Sequence, residues 1–228
     1  MAEQLTFQLP VRTAQGRGDF FVSGANALAV QRLDDTSTWT NGKLALIGPE
    51  GAGKSHLAHV WTKANGGLPV TNVGAMPSCD IPDIDGPVAI EVQDHLFPAS
   101  AKEEEALFHF HNHMTAQCHP ILFVARTPPA RWDIALPDLK SRMLATDIVQ
   151  IEAPDDALLS AMLVKLFTDR QIQITPDLIP WLITHSERSF AAINRLVAAL
   201  DAAALAEKRA ITRPLARRVL DKLDTDAR

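Results

Sequence analysis

The chain has 228 residues, of which 46% are hydrophobic and 21% charged, with a formal net charge of −5; this suits a soluble globular protein with one good core, or one core and a small satellite. The acidic balance argues against a broad non-specific nucleic-acid surface, which needs cations to neutralise phosphate, and no apolar run approaches the roughly 20 residues of a membrane-spanning helix. Cys79 and Cys118 offer no disulfide framework, and the start has no basic segment followed by an apolar core, so a cytoplasmic location is expected.

The first residues, Gln4-Leu-Thr-Phe-Gln-Leu9, alternate polar and apolar side chains before Pro10, and Arg12 to Asp19 reads as flexible. Such a tail is either an unremarkable disordered leader or a peptide whose Leu5, Phe7 and Leu9 anchor in a partner's pocket; composition does not choose between them. Next comes an apolar run, Leu44-Ala-Leu-Ile47, then Gly48-Pro-Glu-Gly-Ala-Gly-Lys-Ser55, then a helix-compatible run from His56. The middle segment fits G-x-x-x-x-G-K-[ST], and strand, loop and helix in that order are the context a phosphate-binding loop requires. Gly48, Gly51 and Gly53 allow the tight turn that points backbone N–H groups at phosphate oxygens, at the positive end of the following helix. Lys54 is placed to reach the β- and γ-phosphates, and Ser55 to offer a hydroxyl to Mg²⁺.

Further β-favouring runs follow at Pro69–Val73, Val88–Val92, Ile121–Ala125 and Asp147–Ile151. Helices are predicted between them at Lys54 to Asn65, Lys102 to Gln117 and Pro137 to Leu144; Glu103, Glu104 and Glu105 supply negative charge at a helix start, and Gly66-Gly67 ends the first helix. This alternation predicts an α/β fold with a five-stranded parallel sheet covered on both faces. Beyond Ala153-Pro154-Asp155-Asp156 the β-runs stop and helices remain. Asp155 or Asp156 caps a helix running to about Asp169, Thr175-Pro176-Asp177 opens the next with threonine as cap and proline at its first position, and Ser189 to Lys208 and Thr212 to Leu223 complete a helical lid. The expected division is a tail at 1–18, a nucleotide-binding α/β domain at 19–153 and a lid domain at 154–228.

Phosphate-loop enzymes hold Mg²⁺ with an acid on a second strand, and a neighbouring acid usually orients the attacking water. In Val88-Ala-Ile-Glu-Val92, Glu91 occupies the metal-associated place, whereas Val92 cannot polarise water; Asp94 compensates only if a loop brings it near. Arg142, in Leu139-Lys-Ser-Arg-Met143, is either a surface arginine or a finger reaching a neighbour's nucleotide. Arg188 carries a similar pair of readings, as a surface residue or a cation folded back on the phosphates. His109 and His113 share a helix face at a spacing zinc uses, with Cys118 and His119 nearby, but without the acid of a metallohydrolase they read as surface histidines. Arg209, Arg213, Arg217, Arg218 and Lys222 read as a solvated helix face.

Taken together these residues resemble the AAA+ family of replication initiators related to DnaA, and more closely its shortened Hda-like regulatory branch, over essentially the whole chain. Phe20-Phe-Val-Ser-Gly-Ala-Asn26 is similar to the initiator segment leading into the nucleotide-base pocket, which implies contacts from Phe21 and Val22. Gly48 to His56 is similar to the family's phosphate loop, implying that Gly48, Gly51, Ala52, Gly53, Lys54, Ser55 and His56 bind ADP or ATP, with Mg²⁺ on Ser55 and weakly on Glu91. Thr127-Pro-Pro-Ala-Arg131 and Leu136-Pro-Asp-Leu-Lys-Ser-Arg-Met143 resemble the stretch from sensor strand to arginine finger, implying that Arg142 acts in trans; the match around Arg188 implies a lid sensor. The tail is similar to the peptide that docks on the sliding clamp of the replicative polymerase, with Gln4 in a polar subsite and Leu5, Phe7 and Leu9 in the apolar groove.

The family's acidic pair here reads Glu91-Val92, and its polar sensor reads Ala125-Arg126, so the resemblance implies weak or absent ATP hydrolysis by the chain itself. It also implies a negative regulator of replication initiation, partnered by a DnaA-type initiator and the sliding clamp. Contact with DNA would be through the clamp, no helix-turn-helix domain is expected, and a homodimer is left open. Two other readings stand beside it: an autonomous AAA+ ATPase such as a helicase loader or truncated initiator, and a nucleotide-dependent scaffold without catalytic effect.

Overall fold

The computed structural model describes residues 22–71, 84–92 and 100–226. Gln4, Leu5, Phe7 and Leu9 of the clamp-like tail, together with Phe21 and Asp94, lie outside the described residues. Five strands, β1 (Lys43–Ile47), β2 (Leu68–Thr71), β3 (Val88–Glu91), β4 (Ile121–Ala125) and β5 (Asp147–Gln150), form one sheet in the order β2-β3-β4-β1-β5, every pairing parallel. β1 lies between β4 and β5 and is buried along its whole length, which is why its sequence is continuously apolar after Lys43.

Side chains alternate across the sheet, and each face has its own cover. Ala45 and Ile47 of β1 join Val88, Ile90, Ile121 and Phe123 beneath α3 (Ala101–Ala116) and α4 (Pro137–Leu144), through Leu107, Phe110, Met114, Leu139 and Met143. Leu44 and Leu46 join Ala89, Leu122, Val124 and Val149 on the other face, beneath α1 (Ala27–Asp34) and α2 (Lys54–Ala64). There Trp61 of α2 stacks on Trp39 with ring centroids 5.2 Å apart, a contact worth about 1 kcal/mol beyond its buried area. The α1 helix, for which the sequence reading made no provision, buries Ala29, Val30 and Leu33 and ties its Arg32 to Asp147 of β5 at 2.6 Å.

Four helices follow: α5 (Asp156–Asp169), α6 (Leu178–His185), α7 (Phe190–Glu207) and α8 (Arg213–Asp226), packed around Leu163, Phe167, Leu182, Leu196, Leu200 and Leu215. Asp155 caps α5 by accepting from Leu158 N at 2.8 Å, and Ser189 caps α7 by accepting from Ala192 N at 3.1 Å. The start of α6 differs from expectation. Thr175 O accepts from Leu178 N, so residues 175–177 form a turn, and the helix begins two residues after Pro176 with Asp177 as its cap. No described helix is long and apolar enough to cross a membrane.

The predicted histidine surface also needs correction. His109 is exposed and His113 partly so, but His111 is buried. Among the described residues no group of three His, Cys, Asp or Glu could hold a metal ion. On α8, Arg213 pairs with Asp177 and Arg218 with Glu207, while Arg209 reaches the same Glu207, so these basic residues are spent within the lid.

Candidate functional site

A cavity of about 660 Å³ opens where β1, β3 and β4 end, beneath the lid. Glu50, Gly51 and Gly53 of the loop line it and Lys54 opens α2, so the helix presents its unbonded N–H groups to the cavity. Gly51 and Gly53 have φ of +71° and +87°, a region that favours glycine. A Cβ on Gly51 would lie 2.7 Å from Ser189 Cβ, and one on Gly53 3.1 Å from the Phe190 ring, so the absence of side chains lets the lid rest on the loop. The contact is sealed by Phe190 N donating to Gly51 O at 2.9 Å.

Within the cavity, Ser55 Oγ donates to Glu91 Oε1 at 2.8 Å, bringing a hydroxyl from α2 against the carboxylate at the end of β3. Two hard oxygen donors side by side are the set a magnesium ion takes together with phosphate oxygens. Lys54 Nζ donates to Gly48 O and Pro49 O, both at 2.7 Å, which curls the ammonium back over its own loop. Val92 lines the cavity where a second acid is expected, and it is buried. Arg126, at the end of β4, also lines it and pairs with Glu50 of the loop at 2.7 Å.

The loop residues proposed from sequence therefore converge: Gly51, Gly53, Lys54, Ser55 and His56 line one cavity with Glu91. Ala52 is buried beneath it, while Gly48 lines a smaller neighbouring cavity of about 360 Å³. Val22 packs against the core on the side of α1 and α2. Arg188 does not line the cavity; it is held at 2.5 Å by Asp156 of α5, and Phe190 and Ala191 face the loop instead. In the sequence Ser189–Phe190 reads only as the start of a lid helix, and Arg126 only as a departure from the family's polar sensor.

Arg142 is elsewhere. It lies near the end of α4, and its carbonyl accepts from Lys43 Nζ at 2.7 Å, at the opposite end of β1 from the phosphate loop. Five residues of strand put roughly 16 Å between Lys43 and Gly48, farther than an arginine side chain extends. The guanidinium lies over Phe108, 5.2 Å from the ring centroid, and pairs loosely with Asp138 at 3.6 Å, while its Nε is buried without a hydrogen-bond partner. At the other end of α4, Glu104 accepts from Ala135 N at 2.9 Å and Leu136 N at 2.6 Å. His111 of α3 is close enough for the charges of Lys43 and Arg142 to join burial, the larger cause, in lowering its pKa from 6.5 to about 4.

Residues 156–220 match the family of Hda lid domains. Among solved structures, the chain is similar to domain III of the replication initiation protein DnaA from Thermotoga maritima, with a TM-score of 0.73 at 14% identity, covering 89% of this chain and 94% of that one. AMPPCP-bound DnaA from Aquifex aeolicus gives a TM-score of 0.61 at 18% identity, over 78% of this chain and 62% of that one. The Holliday junction branch migration motor RuvB of Thermotoga maritima gives 0.63 at 17% identity, over 79% and 61%. Comparison with curated protein sequences gives no significant match.

Proposed function

We infer that this chain, an Hda-like protein joining an Hda-type lid to a AAA+ body of the DnaA fold, is a nucleotide-binding regulator of a DnaA-type initiator that supplies an arginine in trans. The observation that carries this reading is the separation of two functional ends. The phosphate loop and Arg142 stand at opposite ends of β1, so the arginine cannot serve the chain's own nucleotide but is available to a neighbour's. Its present contacts favour release: a long ion pair, a ring face and an Nε donor without a partner, all improved on by a phosphate.

At the other end, Gly51, Gly53, Lys54 and Ser55 bind ADP or ATP, a reading supported by the AMPPCP bound in a similar DnaA structure. Ser55 and Glu91 hold Mg²⁺, which when bound neutralises phosphate charge. With Val92 in the next position, no second acid to activate water stands beside Glu91 among the described residues, so in this reading nucleotide orders the regulator rather than feeding its own turnover. The tail residues Gln4, Leu5, Phe7 and Leu9 dock the chain on a DNA-loaded sliding clamp, and the outcome is negative control of replication initiation in the cytoplasm.

The test is the rate of ATP hydrolysis by a DnaA-type initiator on DNA-loaded clamp, with and without this protein. Stimulation should vanish with Arg142→Ala while nucleotide and clamp binding persist, and removal of residues 1–10 should abolish clamp binding alone. Absence of stimulation by folded, clamp-bound wild type would return the field to the scaffold. ATP turnover by the chain alone, lost with Glu91→Ala, would favour the autonomous ATPase, whose supporting observation is the Ser55–Glu91 contact.

A further inference from the structure

We propose that Lys43 and Glu104 are positioning residues for Arg142: two buried charges, from β1 and α3, that hold the arginine-bearing helix α4 at its two ends. The proposal rests on the trans-arginine reading above. α4 is eight residues long, too short to be stable on its own, and most of its end groups lack partners within the helix. Glu104 answers the N-terminal end by accepting from Ala135 N and Leu136 N, and Lys43 answers the C-terminal end by donating to Arg142 O, which Thr146 Oγ1 also approaches at 3.4 Å. Each charge has the sign the helix dipole favours at its end.

Both residues are nearly inaccessible, Lys43 at 3% and Glu104 at 7% exposure, and neither touches the phosphate cavity. Buried charges seldom persist for stability alone, because apolar replacements of similar volume usually serve as well or better. Here they fix a backbone whose side chain is only loosely held over Phe108. A rigid mount with a movable tip is what a group needs if it must leave one contact and arrive at a reacting phosphate in a fixed place, where an error of about 1 Å is expected to lower the rate roughly 100-fold.

The test uses Lys43→Met, Lys43→Arg and Glu104→Gln in the full chain, with two readouts. The first is initiator ATP turnover on DNA-loaded clamp as a function of regulator concentration; the second is amide hydrogen exchange in α4. Lys43→Met and Glu104→Gln should each lower the saturated rate by about tenfold or more, with half-saturating concentration within about threefold of wild type, and Lys43→Arg should restore most of the rate. Exchange in α4 should quicken by about tenfold while the lid stays protected. An unchanged saturated rate overturns the proposal, as does a loss that simply follows the folded fraction and is shared by Lys43→Arg. If Lys43→Met fails to fold, Glu104→Gln decides alone. If wild type stimulates nothing, the regulatory reading fails separately, and the exchange experiment judges the mount by itself: α4 protection unchanged in both variants overturns it.

Discussion

His111 gives the fold a specific weakness to acid. It is buried in α3, with Lys43 of β1 and Arg142 of α4 as its charged neighbours; burial first, then these cations, lower its pKa from 6.5 to about 4, partly offset by the neighbouring Asn112 amide. Above about pH 6.5 the ring is neutral in both folded and unfolded chains and contributes no pH dependence. As pH falls from 6.5 to about 4, the unfolded chain takes up a proton that the folded chain refuses, so stability drops by about 1.4 kcal/mol per unit. Over the whole window the loss is about 3 kcal/mol, a large share of the 5–15 kcal/mol typical of a domain. His111→Leu removes the proton but keeps an apolar side chain of similar bulk. Urea unfolding of wild type and variant at about pH 7.5, 5.5 and 4 isolates the effect, because the carboxylate contributions common to both cancel in the difference. That difference should shift in favour of the variant by about 3 kcal/mol on acidification; parallel stability curves would refute the buried-imidazole account.

Lys43 predicts the opposite face of the same linkage. Burial, and next the charge of Arg142, lower its pKa from 10.5 to about 8, so the folded chain is penalised while the ammonium is charged and relieved as pH rises from 8 to 10.5. Lys43→Met should consequently leave stability at pH 7 equal or raised, by up to about 2 kcal/mol after loss of one hydrogen bond, in urea titrations. Gly51→Ala should cost about 2 kcal/mol or more, since it strains a left-handed φ and drives a Cβ against Ser189; calorimetry should also record weaker nucleotide binding. Asp155→Ala should cost about 1 kcal/mol in thermal unfolding, through loss of the cap on α5, with no effect on the phosphate loop.

Strands were legible because a parallel sheet buried on both faces writes itself as apolar runs: Ile121–Ala125 was predicted to the residue and the other four within two at either end. The phosphate loop was legible because its chemistry is local, six backbone positions and two side chains in a row. What escaped was tertiary. Glu104 read as one of three acids at a helix start, and only the approach of Ala135 and Leu136 turns it into a buried acceptor. His111 sat in a series of alternating histidines that looks solvated, yet the helical period puts it on the inner face with Leu107 and Met114. Lys43 precedes the apolar run Leu44–Ile47, and nothing local marks it as buried, because its partner lies 99 positions away. Arg188 reads either as a surface residue or as a cation folded back on the phosphates, and in the fold it pairs with Asp156, an acid in the first turn of another helix. The helix over Ala27–Asp34 lacks a side-chain cap bond at Asn26 and carries only three buried residues, so little in the local sequence announces it.

The two closures over the phosphate cavity differ in kind, and this difference governs how quickly a ligand enters. The Glu50–Arg126 pair is solvent-exposed on both sides, worth well under about 1 kcal/mol, and its side chains exchange partners in nanoseconds. It cannot be a barrier, and an arriving phosphate can take over the arginine as the carboxylate leaves. The bond from Phe190 N to Gly51 O belongs to the lid backbone, so breaking it means moving α7 as a body, on a timescale of microseconds to milliseconds. If entry of a nucleotide requires this bond to part, association measured by stopped flow will show an opening step that changes little with added salt, because nothing charged is parted in it.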